Sequence, residues 1–450
     1  MKYVIFLMLV LLPLPFGSAR PVWQYFWILF SCFLGIWTIL THIRHPFLPL
    51  TTKDFPQTTF IFWVLFVLYG VLQPVVPIGP DLVPTVYPVV TSPIWKTGTI
   101  SVMPDKTSFT TLQFLAHFSL YFIVYIYCLR TESARWLIRA TACFMCLYAL
   151  YGFVVYAMGN DTMLWFKKFS YQNALSVTFV NRNNFATYVG LGLIMNTAWL
   201  LDILSRSNTP SDIGRGFRII SVLAYRPFAP VLILGQVLLL TTLVLSGSRA
   251  GLISGLLGMG SLIFAWTRMA KVSTQPALPY FLVGGLVALA LLALNGDLVF
   301  LRFTTIFDDG QRWSLYEETL GIISKKPIFG FGLGTFEDVF RHYHTEAIAT
   351  NFIRAHNDYL EMTITAGLLG TALFAIGLFP ILRAHARPVI QRNSRQNTAP
   401  YVALGLAICV HVGAHALVDF PMQIPGISYT FVILLAATTA ITRGGKEVVT

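Results

Sequence analysis

The sequence predicts an all-α polytopic integral membrane protein of about 12 transmembrane helices, with one large external loop between the ninth and tenth spans. Three observations predict it. The 450 residues are 56% hydrophobic and 11% charged, whereas about a quarter of a soluble chain is charged. Apolar runs near the roughly 20 residues that cross a bilayer recur along the whole length, and mean hydropathy is +0.68. The Lys and Arg residues collect on alternate sides of those runs. So little material remains outside them that a soluble enzyme on a membrane tether is excluded.

Reading apolar runs against turn and charge signals gives spans at 3–17, 22–41, 59–79, 112–129, 136–158, 184–204, 229–246, 250–267, 280–300, 358–381, 400–418 and 425–442. With the N-terminus in the cytoplasm, the inside segments and span ends hold 18 of 31 Lys and Arg but 5 of 19 Asp and Glu. The inside balance is then +13 against −1 outside, which accounts for the net +12 by the positive-inside rule. The basic composition therefore calls for no nucleic-acid partner. An even number of spans puts both termini inside. The first span follows Lys2 and ends near Gly17, Ser18 and Ala19, as a signal peptide would, but is read here as a retained span. Cys32, Cys128, Cys143, Cys146 and Cys409 all lie in apolar runs and read as small hydrophobes. No internal repeat stands out.

The spans divide the chain into N-terminal helices (1–180), a central region (181–380) containing the external loop 301–357, and C-terminal helices (381–450). A loop of that length usually has structure or function of its own. Asp308-Asp309-Gly310 precede a helical pattern with Trp313, Tyr316, Leu320 and Ile323 on one face, which reads as an amphipathic helix lying over the membrane and ending at Lys325-Lys326-Pro327. In the segment from Pro327 to Phe336, Gly330, Gly332 and Gly334 alternate ahead of Thr335, an N-cap for a short helix through about Tyr343. Such glycines let backbone N–H groups approach an anion, or make a plain turn.

Four motifs follow one another: Leu245-Ser246-Gly247-Ser248-Arg249-Ala250-Gly251; Arg312-Trp313; Pro327 to Phe336; and His356-Asn357-Asp358-Tyr359-Leu360-Glu361 leading into Ala366-Gly367-Leu368-Leu369-Gly370. In this order they closely resemble the O-antigen ligase and polymerase superfamily, most strongly over residues 180–375. The resemblance implies an inverting, metal-independent glycosyltransferase in the bacterial inner membrane. It would take a glycan from an undecaprenyl-diphosphate carrier on the periplasmic face and pass it to lipid A-core or another glycan acceptor, without a cofactor. By the same resemblance Arg249 and Arg312 hold the diphosphate and His356 acts on the acceptor hydroxyl.

The chemistry of the residues agrees with these roles. Arg249 opens a helix at the outer face, where a guanidinium and free N–H groups together suit a diphosphate, although an interfacial arginine can equally bind lipid head groups. Arg312 supplies a second cation for the departing group. An imidazole accepts a proton near neutral pH, so His356 is the expected general base, with Asp358 or Glu361 as orienting carboxylate. Arg182, within Asn181-Arg182-Asn183-Asn184, is a further candidate for phosphate binding; Asn357, the three glycines and Lys326 complete the expected substrate contacts. His411, His415 and Asp419 stack at i, i+4 and i+8, but without a zincin glutamate they read as interior polar groups rather than a metal site. A polymerase of the same family, a protein O-oligosaccharyltransferase and a flippase or transporter of the lipid-linked glycan are the alternatives. Against transport, the charges gather in outside loops and not at the midplane.

Overall fold

The computed structural model describes residues 1–44, 56–77, 98–159, 161–172, 174–205, 228–270, 310–344, 352–393 and 397–444. Within them the chain is a helical bundle, with one two-stranded hairpin pairing Thr162–Met163 with Phe166–Lys167. The helices are α1 (Lys2–Leu11), α2 (Pro21–Arg44), α3 (Gln57–Leu72), α4 (Pro104–Cys128), α5 (Thr131–Ala157), α6 (Arg182–Ser205), α7 (Phe228–Leu245), α8 (Arg249–Ala270), α9 (Gly310–Ile323), α10 (Phe336–Tyr343), α11 (Asp358–Gln391), α12 (Ala399–His415) and α13 (Pro425–Thr442). Eight of these are long and apolar enough to cross a membrane, and α1, α3 and α12 are shorter apolar helices at three further predicted spans. The chain is thus a polytopic membrane protein. The predicted span 280–300 lies outside the described residues.

The first predicted span is shorter than expected. Pro13 and Pro15 stop α1 after 10 residues, about 15 Å of helix, which is half of a hydrocarbon core roughly 30 Å thick. It packs Ile5, Met8 and Leu9 inward instead. Helices α6 and α13 lie at the centre of the bundle and are buried over most of their length. Their polar residues face protein, as the bilayer demands of groups that would otherwise lack partners. Asn196 donates to Leu232 O and Gln236 Oε1, both at 2.8 Å, and Arg139 of α5 pairs with the buried Asp202 at 2.6 Å. Helix α12 packs on α6 and α8, α3 packs on α11, and α4 packs between α2 and α13.

The long helix α11 is broken at Gly367, where φ is +66° and ψ 179°. A break exposes carbonyls and N–H groups that nothing in a bilayer could satisfy. The glycine segment after α9 fills the gap. Leu368 N and Leu369 N donate to Pro327 O and Ile328 O at 2.8 and 3.1 Å, while Phe331 N and Gly332 N donate to Ile364 O and Thr365 O at 3.1 and 2.9 Å. From α3, the Tyr69 hydroxyl reaches both Phe329 O and Ala366 O, and Gln73 contributes its amide to Phe329 O and receives Leu333 N. The approach is close enough that a Cβ on Gly330 would sit 2.6 Å from Thr365 O. Only glycine fits there, and Gly330 and Gly367 both hold positive φ.

Helices α9 and α10 fold onto this splice. The predicted stripe on α9 is displaced: Leu315, Thr319 and Ile322 are the buried residues, and Trp313 and Leu320 are exposed at 65% and 54%. The reason is the neighbour. Leu315 and Ile322 join Phe331, Phe336, Phe340 and Ile364 in a small apolar core, with Tyr316 and Ile323 of the predicted stripe packed against its edge, so only Trp313 and Leu320 turn outward. Helix α10 begins after Thr335 as expected, although the Thr335 hydroxyl donates to Gly332 O and accepts no N–H of the helix.

Removing the Tyr69 hydroxyl takes the side-chain donor from the buried Ala366 O and leaves Phe329 O to Gln73 alone, a cost of about 1–3 kcal/mol. Tyr69→Phe is therefore expected to lower the thermal unfolding midpoint of the purified protein in detergent micelles, and Tyr69→Phe with Gln73→Leu to lower it further. An unchanged midpoint in the double variant would show that the break does not depend on α3.

Candidate active site

Several of the residues singled out in the sequence meet at one end of the bundle. Ser246, Gly247 and Ser248 turn the chain between α7 and α8; Gly247 takes φ +65° and Ser248 caps α8 by accepting Gly251 N at 3.1 Å. Arg249 is thereby the first residue of α8, as Arg182 is of α6. The two helix starts adjoin, since Gly251 packs directly on Ala186. Each presents the positive end of its dipole on the same side. Arg182 lies over the Tyr171 ring at 5.4 Å.

The far end of α12 reaches the same place. His415 Nδ1 lies 2.5 Å from Thr187 Oγ1, one turn into α6, and His411 Nε2 lies 3.0 Å from Thr187 O. After His415 the chain leaves the helix and turns through Asp419, whose side chain is completely buried. The predicted stack of three polar groups therefore runs as a helical face only as far as His415. Asp419 points elsewhere, to His356: Nδ1 of His356 and Oδ1 of Asp419 are 3.3 Å apart.

His356 is held from several directions. Its φ of +47° turns the chain sharply into α11, and its carbonyl accepts the Tyr316 hydroxyl at 2.8 Å. Its ring meets Phe420 edge-on at 4.9 Å. With Nδ1 facing Asp419, Nε2 is the nitrogen left for another partner. Arg312 Nη1 comes within 3.4 Å of Val418 O, bringing the second predicted arginine onto the turn that carries Asp419.

The carboxylate beside His356 is thus neither of those expected. Asp358 accepts Met422 N at 3.0 Å and Gln423 Nε2 at 3.4 Å. Glu361 accepts Arg354 Nη1 and Ala355 N, both at 3.0 Å. Both therefore fasten the head of α11 to its surroundings. Asn357 does the same: Oδ1 caps α11 by accepting Tyr359 N and Leu360 N, and Nδ2 donates to Leu417 O, all at 3.0 Å.

The expectation that the glycine amides face an anion is corrected for two of the three. Gly330 N donates to Lys326 O and Gly332 N to Thr365 O. Gly334 lines a cavity beside α4. Lys326 lies over the Phe331 ring at 5.1 Å, and burial lowers its pKa. Sequence reasoning missed Asp419 as the partner of His356 and Tyr316 as its carbonyl anchor. The signal for Asp419 was its place directly after two histidines of the same helix face.

Residues 234–375 match a family model described as O-antigen ligase. A comparison with curated proteins gives no match.

Burial alone would raise the Asp419 carboxyl, but the His356 contact, His415 and the Phe420 N–H outweigh it and hold the pKa below the ordinary value. A carboxylate lowered in the folded state stabilises fully above its unfolded pKa, near 3.9, and that contribution disappears as pH falls through the folded value. Thermal stability in detergent is therefore expected to fall more steeply below about pH 4 in the wild type than in Asp419→Asn. Parallel acid limbs would show that Asp419 is not ionised in the fold.

Proposed function

We propose that this chain, whose residues 234–375 match a family model described as O-antigen ligase, is a membrane glycosyltransferase of O-antigen ligase type in the O-antigen ligase and polymerase superfamily. It passes a polysaccharide from an undecaprenyl-diphosphate carrier to an acceptor hydroxyl at the periplasmic face of the bacterial inner membrane, with region 181–380 and Asp419 from the C-terminal part carrying the chemistry and both termini in the cytoplasm. The observation that carries this reading is the meeting of His356, Asp419 and Arg312 at the end of the bundle where Arg182 and Arg249 open their helices.

In the proposed step His356 Nε2 takes the proton of the acceptor hydroxyl. That oxygen forms the new bond to the anomeric carbon while the bond from that carbon to the carrier diphosphate breaks, so the configuration inverts. Asp419 keeps Nδ1 protonated and steadies the imidazolium that results. The departing diphosphate gains negative charge, which Arg249 and Arg312 stabilise together with the helix ends, and Arg182 is a further contact for the carrier. No metal or cofactor enters the step. Lys326, beside the glycine segment, meets the carrier's head group rather than the reacting atoms.

An O-antigen or exopolysaccharide polymerase would use the same step with a carrier-linked repeat unit as acceptor. The test is a deletion strain complemented with wild type, His356→Ala, Arg249→Ala or Arg312→Ala, scored by lipopolysaccharide banding and by carrier-linked glycan. The proposal expects long polymer on the carrier beside bare lipid A-core in the deletion, restored by wild type. It expects each variant, at normal protein level, to lose at least about two orders of magnitude of transfer. Short carrier-linked units with loss of a secreted polymer would establish the polymerase. Disappearance of the outward-facing lipid-linked pool would establish a transporter instead. Full transfer by His356→Ala would remove the base assignment.

A further inference from the structure

Helix α5 leads directly into the two-stranded hairpin, at the end of the bundle where α6 begins. Arg139 is the last charged residue of the helix, and residues 140–157 run about 27 Å at 1.5 Å per residue, close to the roughly 30 Å of a bilayer's hydrocarbon. Leu147, Leu150 and Val154 form an exposed apolar stripe that Met158 continues, the face that a membrane-spanning helix turns to lipid. The hairpin therefore starts where the hydrocarbon ends.

Its tip is apolar. Leu164 and Trp165 are the two-residue loop between the paired Met163 and Phe166, and Leu164 takes φ +56° at the position where such a loop favours glycine. Turns that face water carry small polar residues. Here Trp165 is 79% exposed, and Phe166, 5.8 Å from its ring, and Phe169 are exposed too. The covered side of the hairpin is already filled by Met163 and Lys168, both buried, and Lys168 donates N to Asp161 O at 2.8 Å and Nζ to Ala174 O at 3.0 Å. Phe166 is fixed at 5.2 Å from the Phe16 ring. Cations accompany the rings: Lys167 is exposed next to Phe166, and Arg20, also exposed, lies over Phe16 at 4.2 Å. The hairpin's carboxylate, Asp161, stands at its foot. Aromatic rings rimmed by cations match the head-group layer of a bilayer, where apolar and phosphate groups meet.

We propose that residues 162–169 dip into the head-group layer as an interfacial wedge, with Trp165 and Phe169 below the lipid phosphates and Lys167 and Arg20 level with them. The partner is the lipid surface, and the wedge continues the lipid-facing stripe of α5. It also sets the height of the neighbouring site. Tyr171, just after the wedge, carries Arg182 over its ring at 5.4 Å, so Arg182 stands beside the phosphate plane. The wedge is a property of the hairpin and holds whether or not the chain transfers glycans.

The test uses the full chain in phosphatidylcholine nanodiscs and reads the emission of Trp165 as the difference between wild type and Trp165→Phe. Lipids brominated near the head group are expected to quench that difference at least about twofold more than lipids brominated at the chain ends. Aqueous acrylamide is expected to quench it at least about twofold less than it quenches free tryptophan. Phe169→Trp, which adds an emitter to the same patch, is expected to show the same preferences, so the result does not hang on one variant. Emission untouched by brominated lipid and freely quenched by acrylamide would place the hairpin in water. Emission shielded from both would place it against protein, a second copy included, and stronger quenching from the chain ends would bury it in hydrocarbon. Each of these three results would overturn the proposal. Because no turnover is read, failure of the transferase assignment leaves these outcomes unchanged, and failure here leaves the transfer reaction standing.

Discussion

A membrane helix cannot be interrupted unless something satisfies the backbone groups that the interruption frees, and this requirement organises the functional end of the bundle. Helix α11 breaks at Gly367, and the segment from Pro327 to Leu333 lies in the break, exchanging hydrogen bonds with both halves. Because Tyr69 and Gln73 tie the same carbonyls to α3, the splice is joined to the bundle as well as to itself. Gly330 and Gly367 are there because their two backbones pass at a separation no Cβ allows.

What the splice fixes is the short first part of α11, residues 358 to 366. Its other end is stitched to the turn after α12: Asp358 N donates to Ala416 O at 2.9 Å, Asn357 Nδ2 to Leu417 O, and Tyr359 Oη to Gly413 O at 3.0 Å. His356 and Asp419 sit on the two strands of chain joined by those stitches. Their 3.3 Å contact is therefore held by the hydrogen bonds that join these two segments rather than by the two side chains alone. Rigid support of this kind is what a base needs if its free nitrogen is to meet an acceptor reproducibly.

The sequence made the membrane class legible because hydropathy and charge asymmetry depend on single residues and their spacing. The start of α10 after Thr335 was legible for the same reason: it depends on a few neighbouring residues. The break at Gly367 was not. Nothing local to Ala366-Gly367-Leu368 distinguishes an apolar helix with a tolerated glycine from one whose carbonyls are taken by Tyr69, nearly 300 positions earlier in the chain. The carboxylate partner of His356 was hidden likewise. Asp358 and Glu361 are the nearest in sequence, yet both are engaged in anchoring α11, and the contact falls to Asp419, which approaches from the turn after α12. On α9 the position of Phe331 and Phe340 centres the buried face on Leu315 and Ile322, leaving Tyr316 and Ile323 at its edge and Trp313 and Leu320 outside.

The central claim is that a buried carboxylate, fixed by this stitched turn, orients the imidazole that activates the acceptor. The most direct measurement is the steady-state kinetics of glycan transfer by purified Asp419→Asn from a synthetic polyprenyl-diphosphate glycan, beside wild type. The account predicts kcat lower by about 10²–10⁴-fold, with KM for donor and acceptor within about twofold of wild type, because only the step that moves the proton is impaired. An unchanged kcat would contradict it.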